Sequence, residues 1–525
     1  MNPPRENTGI TLLSKSKNNF FRAIFSRLGL VLLLMLIQVL VIVFAVRRFE
    51  EYLPHVYTVS FLFSMVMVLY LLNSQMNPTA KITWLVVITL LPVFGALFYF
   101  YTQNDVGHRA LKERLRRLMA STRHHIPQDP KPLENLRKDS EGAASLAHYI
   151  TRSGCFPVYQ DSDVTYFPSG EAKFQELLVQ LEQAQHFIFL EYFIIHEGVR
   201  WGQVLEILAR KAREGVDIRV MYDGTCEFTT LPHNYPQLLH SLGIRCKVFA
   251  PVTPFISTRY NYRDHRKILV IDGHTAFTGG VNLSDEYINR VNRFGHWKDT
   301  AVMVKGDAVR SFTLMFLQMW AIDEEDPEYG RFLTADSRPV KNAQGFVIPF
   351  GDIPLDGDKD GEQVYMDILN RSKHYVHIMT PYLILDGEME TALKFAAKRG
   401  IDVRIMLPGI PDKKVPYSLA ITHYKALLTA GVRIFEYTPG FVHAKSFVCD
   451  DHEAVVGTIN LDYRSLYHHF ECACYMWKTR CIGQIERDFL ETQKKCREIT
   501  LENLSSCSSV RKAAGILMKP LAPLL

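Results

Sequence analysis

The chain has 525 residues, 47% of them hydrophobic, and a formal net charge of +5. That is ample for two globular cores plus membrane material. The charge is too mild to mark a nucleic-acid binder. The nine cysteines form no C-x-x-C, and Cys472 and Cys474 have the wrong spacing for a zinc knuckle, so they read as small buried hydrophobes or free thiols.

Three apolar runs come first in the chain. They are Leu28 to Val46, broken only by Gln38, then Val56 to Leu72 and Ile82 to Tyr101. Each is near the ~20 residues needed to cross a bilayer, and Trp84, Tyr99 and Tyr101 sit near the ends of the third. They predict two to three transmembrane helices within residues 1–104. The first run is long, with an extended basic flank and no small-residue cleavage site, which argues against a signal peptide. Arg5, Lys15, Lys17, Arg22 and Arg27 precede the first run, and Arg109, Lys112, Arg114, Arg116, Arg117 and Arg123 follow the third. Three spans cannot put both basic clusters in the cytoplasm, so either one run is re-entrant or interfacial or one cluster loses. Residues 105–145 are charged, carry Pro127, Pro130 and Pro132, and read as a linker with a juxtamembrane helix from Ala110 to Ser121.

Beyond the linker, short apolar strands alternate with helical stretches. Phe187 to Ile194 is a buried-strand run; Trp201 to Gly215 has helical spacing and a glycine stop; the next strand begins at Val216, and Tyr235 to Gly243 is a short helix. This alternation predicts an α/β sandwich. The pattern then repeats. Gly215 to Gly224 matches Gly400 to Gly409, Leu242 to Phe249 matches Ala430 to Tyr437, and Phe187 to Ile194 matches His377 to Ile384. The period is far too long for a solenoid, so it predicts two homologous domains, 146–340 and 341–525.

The strongest repeat carries chemistry. His265-x-Lys267 is followed by Asp272, and His443-x-Lys445 by Asp450, 178 residues on; Gly279, Gly280 and Asn282 answer Gly457, Thr458 and Asn460. Both motifs read as strands, on which residues i and i+2 share a face, so each His and Lys is expected to point together. With pseudo-twofold packing both pairs face one cleft. Two ammonium groups there stabilise the non-bridging oxygens of a phosphate. One imidazole attacks phosphorus to give a phospho-histidine while the other protonates the leaving alkoxide, with no metal and no cofactor required. Asn282 and Asn460 are expected to donate to the same oxygens, and Gly280 and Thr458 to keep the backbone small. Asp299 and Glu471, 34 and 28 residues after their histidines, are the candidates to hold the far ring nitrogens. Asp272 and Asp450 complete the motif, but each ends its strand at a turn, where a fold-holding role is at least as plausible as a catalytic one.

The doubled H-x-K-x-x-x-x-D with G-G-x-N and G-T-x-N resembles the phospholipase D superfamily. The stretches RDHRKILVIDGHTAFTGGVNLSDEY and AGVRIFEYTPGFVHAKSFVCDDHEAVVGTINLDYRS, the segment NPTAKITWLVVITLLPVFGALFYF and the ending KPLAPLL resemble the bacterial cardiolipin synthases. The resemblance covers residues 56 to 525; Gly351-Asp352 departs from the Gly-Pro pair of related sequences. It implies two phospholipase D-like domains and a multi-pass protein of the bacterial plasma membrane. It also implies the reaction: two phosphatidylglycerol molecules give cardiolipin and glycerol. The first-motif histidine would be nucleophile and the second acid/base, or the reverse. A hydrolytic phospholipase D would use the same residues. A superfamily nuclease would want a basic groove and no membrane segment, and a scaffold would have lost one His or Lys. Tyr260, Tyr262, Phe441 and Tyr463 lie near the motifs and could pack on glycerol or acyl segments.

Overall fold

In the computed structural model the described residues are 53–524, apart from 75, 104–105, 233, 252–261, 325–326, 334–339, 356 and 506–508, together with Leu40 and Val43. The first apolar run and its basic flank, Tyr260 and Cys507 lie outside the described residues, save Leu40 and Val43. The second run forms the helix Leu53–Leu72, which carries no charged residue. The third is not one helix. It breaks at Leu91 into Pro78–Leu90 and Pro92–Gln103, because Pro92 disfavours helix at the residue before it. The two pieces pack so closely that a Cβ on Gly95 would lie 2.7 Å from the Val87 carbonyl oxygen. Among the described residues no helix is long and apolar enough to cross a membrane.

The expected linker holds more helix than its charge suggests. The juxtamembrane helix is present as Val106–Thr122, and two more follow, so that the three are Val106–Thr122, Pro130–Asp139 and Glu141–Gly154. Asp129 and Ser140 cap the second and third, accepting from the N–H groups of Lys131 and Ala143. Their charges face outward, while Leu111, Leu115, Leu136 and Ile150 join the main core.

The repeated halves give two sheets. The first has the order β1-β9-β7-β6-β2-β3-β4, with β1 Ser162–Phe167, β2 Phe187–Tyr192, β3 Asp217–Asp223, β4 Arg245–Phe249, β6 Lys267–Ile271, β7 Thr275–Gly279 and β9 Ala301–Gly306. The second has the order β10-β17-β16-β15-β11-β12-β13-β18, with β10 Phe346–Asp352, β11 Tyr375–Met379, β12 Asp402–Pro408, β13 Arg433–Tyr437, β15 Ser446–Cys449, β16 Glu453–Gly457, β17 His469–Trp477 and β18 Cys496–Ile499. In each, three parallel strands (β2, β3, β4 and β11, β12, β13) continue into an antiparallel set. Every residue of the helix from Ser311 to Trp320 is buried. It touches β2 and β6 of one sheet and β10 of the other, so one apolar core runs through both halves.

Two short strands cross between the halves. β5, Arg263–Asp264, pairs in parallel with the start of β17, and β14, Gly440–Val442, pairs in parallel with β8, His296–Lys298. Each crossing strand stops at a motif histidine.

Candidate active site

His265 and His443 follow β5 and β14 directly, and each is fixed by its backbone to the opposite half. His265 N–H donates to the Phe470 carbonyl at 2.9 Å, and His443 N–H to the Lys298 carbonyl at 2.7 Å. The next residues on those partner strands are Glu471 and Asp299. The carboxylates are therefore exchanged: His265 Nδ1 lies 2.9 Å from both Glu471 oxygens, and His443 Nδ1 lies 2.8 Å from Asp299 Oδ2. The expectation that each carboxylate serves the histidine of its own repeat is corrected by this crossing. The histidines also sit in a break just ahead of β6 and β15 rather than on a continuous strand.

All the motif histidines and lysines are buried. Each lysine ammonium donates to the backbone carbonyl of the histidine two residues before it. Burial lowers Lys267 to about 8 and Lys445 to about 7. Burial, then the ammoniums of Lys267 and Lys445, hold His265 well below its ordinary value. Burial and then Lys445 bring His443 down to about 4, against the upward pull of Asp299. Burial pushes the Asp299 carboxyl up, but His443, Lys445 and the Thr300 N–H outweigh it and leave it below the usual carboxylate range. The site thus holds two imidazoles whose Nδ1 atoms are oriented by carboxylates.

The glycine and threonine of the motifs serve these carboxylates. A Cβ on Gly280 would stand 2.0 Å from Asp299 Oδ1. At the matched position Thr458 has a hydroxyl that donates to Glu471 and accepts from Cys472 N–H at 3.0 Å. The asparagines do not share one role. Asn282 accepts from Ile194 N–H at 3.1 Å and donates to the Tyr287 hydroxyl at 2.8 Å, so its amide braces the loop after β2 rather than standing free for a phosphate. Asn460 Oδ1 is buried with no hydrogen-bond partner among the described residues.

Asp272 and Asp450 stand apart from this cluster. Asp272 accepts from the N–H groups of Gln185, His186 and Phe187, and Asp450 from those of Lys373, His374 and Tyr375, all at 2.7–2.9 Å. Their carboxylates are saturated by the turns leading into β2 and β11, so both hold the fold. Asp352, at the departure from Gly-Pro, accepts from Gly361 N–H at 2.8 Å near the start of the helix Asp360–Arg371.

Sequence reasoning did not single out the groups that flank each ring. Trp297 lies 5.3 Å from His443 between ring centroids, with Tyr287 on another side at 5.3 Å. His469, in the matching place before Glu471, lies 5.3 Å from His265, with Phe193 at 5.0 Å. Both His469 nitrogens are buried without a hydrogen-bond partner among the described residues, and burial lowers its pKa to about 3. Aligning the second residue before each carboxylate would have paired His469 with Trp297. Phe441 packs on Trp297 at 4.8 Å, and Tyr463 stacks on Tyr467 at 5.3 Å. Among the described residues, donor atoms of His265, His469 and Glu471 lie within 4.8 Å of one another, as do those of Glu362, Asp386 and Glu388. The first set already uses Glu471 to orient His265. In the second, Lys359 reaches Glu362 at 3.3 Å. All eight described cysteines are free thiols, seven of them buried.

The family model for "Cardiolipin synthase, PLD-like domain" matches residues 177–320 and 365–492, and that for "Phospholipase_D-nuclease N-terminal" matches 62–102. An uncharacterized protein of Streptococcus mutans is 56% identical over 458 residues, 87% of this chain and 99% of its own length. A cardiolipin synthase of Geobacillus kaustophilus is 34% identical over 455 residues, 86% of this chain and 89% of the relative. The phosphatidylserine synthase of Haemophilus influenzae shares the fold, with TM-score 0.55 and 14% identity over 73% of this chain and 98% of that one. With two PLD-like repeats meeting at one paired His–Lys centre and a relative of this identity along most of its length, the chain belongs to the bacterial cardiolipin synthases of the phospholipase D superfamily, enzymes that modify phospholipids.

Proposed function

We propose that the enzyme transfers a phosphatidyl group from one phosphatidylglycerol to the headgroup hydroxyl of another, giving cardiolipin and glycerol. The observation that carries this reading is the pair of imidazoles, each held at Nδ1 by a carboxylate of the opposite half. That leaves Nε2 of each ring for chemistry. His265 attacks phosphorus through Nε2; its new P–N bond replaces the P–O bond to glycerol. His443 enters this step as the imidazolium, its charge balanced by Asp299; it gives its Nε2 proton to the leaving oxygen, and the neutral ring then takes a proton from the incoming alcohol. Lys267 and Lys445 supply the positive charge that a metal supplies in other phosphoryl-transfer sites. Water competing with the alcohol would make the same site a hydrolytic phospholipase D. Burial of every reacting group favours transfer.

The substrate lies in a bilayer, and the N-terminal helices support a membrane location. Phe61, Val66, Leu90 and Leu97 are each more than 60% exposed to the outside of the helical region. Asn77, which caps Pro78–Leu90, donates to the Tyr467 hydroxyl at 2.9 Å, tying these helices to the catalytic body. The break at Leu91 lets the third apolar run return to the side it entered, which relieves the conflict between the two basic clusters. The cytoplasmic face of the plasma membrane is the proposed location.

The test is twofold. Cells expressing the chain should gain cardiolipin at the expense of phosphatidylglycerol, and His265→Ala and His443→Ala should each lower that synthesis by more than about a thousandfold. Given a lipid with an activated aryl headgroup, which needs no acid to leave, His443→Ala should trap label on the peptide carrying His265. Label on His443 in His265→Ala would reverse the roles. Label on neither, with continued turnover by the wild type, would sink the covalent route.

A further inference from the structure

Glu471 meets two imidazoles. His265 Nδ1 lies 2.9 Å from Glu471 Oε1, and His469 Nδ1 lies 3.6 Å from the same oxygen. The second distance is too long for a hydrogen bond. His469 is only 7% exposed, yet neither of its ring nitrogens has a hydrogen-bond partner among the described residues. Donor atoms of the three side chains all lie within 4.8 Å of one another. Buried polar atoms are ordinarily paired, so an imidazole with two idle nitrogens beside a carboxylate points to a ligand.

Two imidazoles and one carboxylate suit zinc and its transition-metal neighbours rather than magnesium or calcium. Around tetrahedral zinc, with bonds of about 2.0–2.1 Å, neighbouring ligand atoms stand about 3.4 Å apart. The separations of 2.9 and 3.6 Å fall on either side of that edge. The remaining closure falls to the His469 ring, which no hydrogen bond holds back. The Thr458 hydroxyl donates to Glu471 Oε2, which leaves Oε1 for an ion. The ammoniums of Lys267 and Lys445 act on His265 and oppose a dication, so its binding is reversible rather than structural. His443 has no such company. In the matching place stands Trp297, whose indole N–H approaches Asp299 at 3.4 Å and has no lone pair for a metal. The donor cluster therefore belongs to one of the two dyads.

We infer that His265, His469 and Glu471 form a site for a zinc ion that switches the enzyme off. The ion takes His265 Nδ1, His469 Nδ1 and Glu471 Oε1, and water completes the tetrahedron. The Zn–N bond replaces the Nδ1–H bond of His265, and that proton moves to Nε2, so the ring stays neutral and changes tautomer. Nε2 then carries a hydrogen and has no lone pair to form a P–N bond. Zinc thus holds the nucleophile in its unreactive tautomer. The effect on turnover rests on the reading of His265 as nucleophile; the binding does not.

The full chain in detergent, stripped with a chelator and dialysed, tests this by calorimetric titration with zinc chloride and by the visible spectrum of a parallel sample given cobalt(II). The wild type should bind zinc, and cobalt should show tetrahedral bands without the sulfur charge-transfer band of a cysteine ligand. His469→Phe, which keeps a ring where the other half has Trp297, and His469→Gln should each weaken zinc binding by roughly tenfold to a hundredfold or more. His265→Ala should do the same, while His443→Ala should bind as the wild type does. Zinc should lower turnover of the aryl-headgroup lipid more than about tenfold, with recovery on adding chelator, and magnesium should not. No zinc bound by the wild type, a sulfur band, equal binding in both His469 variants, or equal losses in His265→Ala and His443→Ala overturns the site. Binding as expected with turnover undiminished overturns the switch. Binding as expected in a chain that makes no cardiolipin in cells sustains the site and fails the transferase reading instead.

Discussion

The two halves of the centre solve one problem differently. Around His443 the carboxylate is short: Asp299 reaches the ring only because Gly280 has no side chain where the carboxylate lies. Around His265 the carboxylate has one more methylene, and a hydroxyl, Thr458, steadies it. The ring beside His443 is an indole, Trp297, whose N–H approaches Asp299 at 3.4 Å; the ring beside His265 is an imidazole, His469, 3.6 Å from Glu471. A duplicated fold therefore does not imply duplicated roles. Two equivalent histidines thus meet different neighbours, an indole beside one and an imidazole beside the other.

The largest way to break this comparison is to give the first half the second half's residue. Gly280→Thr should force Asp299 off His443 and lower kcat about a hundredfold or more, while circular dichroism and melting show a folded protein. Wild-type turnover in this variant would mean that Asp299 does not need its place. The reverse exchange is milder. Thr458→Gly removes one hydrogen bond from Glu471, which still reaches His265, so kcat should fall only several-fold to tenfold. A loss equal to that of Gly280→Thr would show the two carboxylates to be equally fragile.

A smaller effect separates the lysines by pH. Their folded pKa values are depressed, Lys445 to about 7 and Lys267 to about 8, so their charge is present below these values and is lost as pH rises through them. In titrations at fixed ionic strength, kcat/KM should decline as pH rises through about 7 to 8. A profile flat to pH 9 would contradict this. The smallest effect is none at all: dialysis against a strong chelator should leave the rate within about twofold, because the ammoniums do the work of a cation. Complete loss, restored by one divalent ion, would count against it.

Much of the site was legible because the chemistry repeats. His265, Lys267, His443 and Lys445 are marked by their spacing, and Asp299 and Glu471 by being the acidic residues in matching segments. The exchange of those carboxylates was not legible. It depends on β5 and β14, which are two and three residues long and too short to leave a periodic signal. Asn282 was legible as a donor but not as a brace for Ile194, since that partner is 88 residues away. The helices of 130–154 did carry their signals, Asp129 before Pro130 and Ser140 before Glu141, but the charge of the segment outweighed them. Pro92 likewise marked the break in the third apolar run, where hydropathy alone read a single span.

The crossing strands also set the order in which the centre can come into being on the ribosome. His265 is translated 206 residues before Glu471, the group that orients it. At the usual rate of synthesis that interval is roughly 10–40 s. Throughout it the nascent chain, with its apolar N-terminus already made, holds an imidazole and a lysine but no assembled dyad. Reactivity is thereby withheld until the second half has folded.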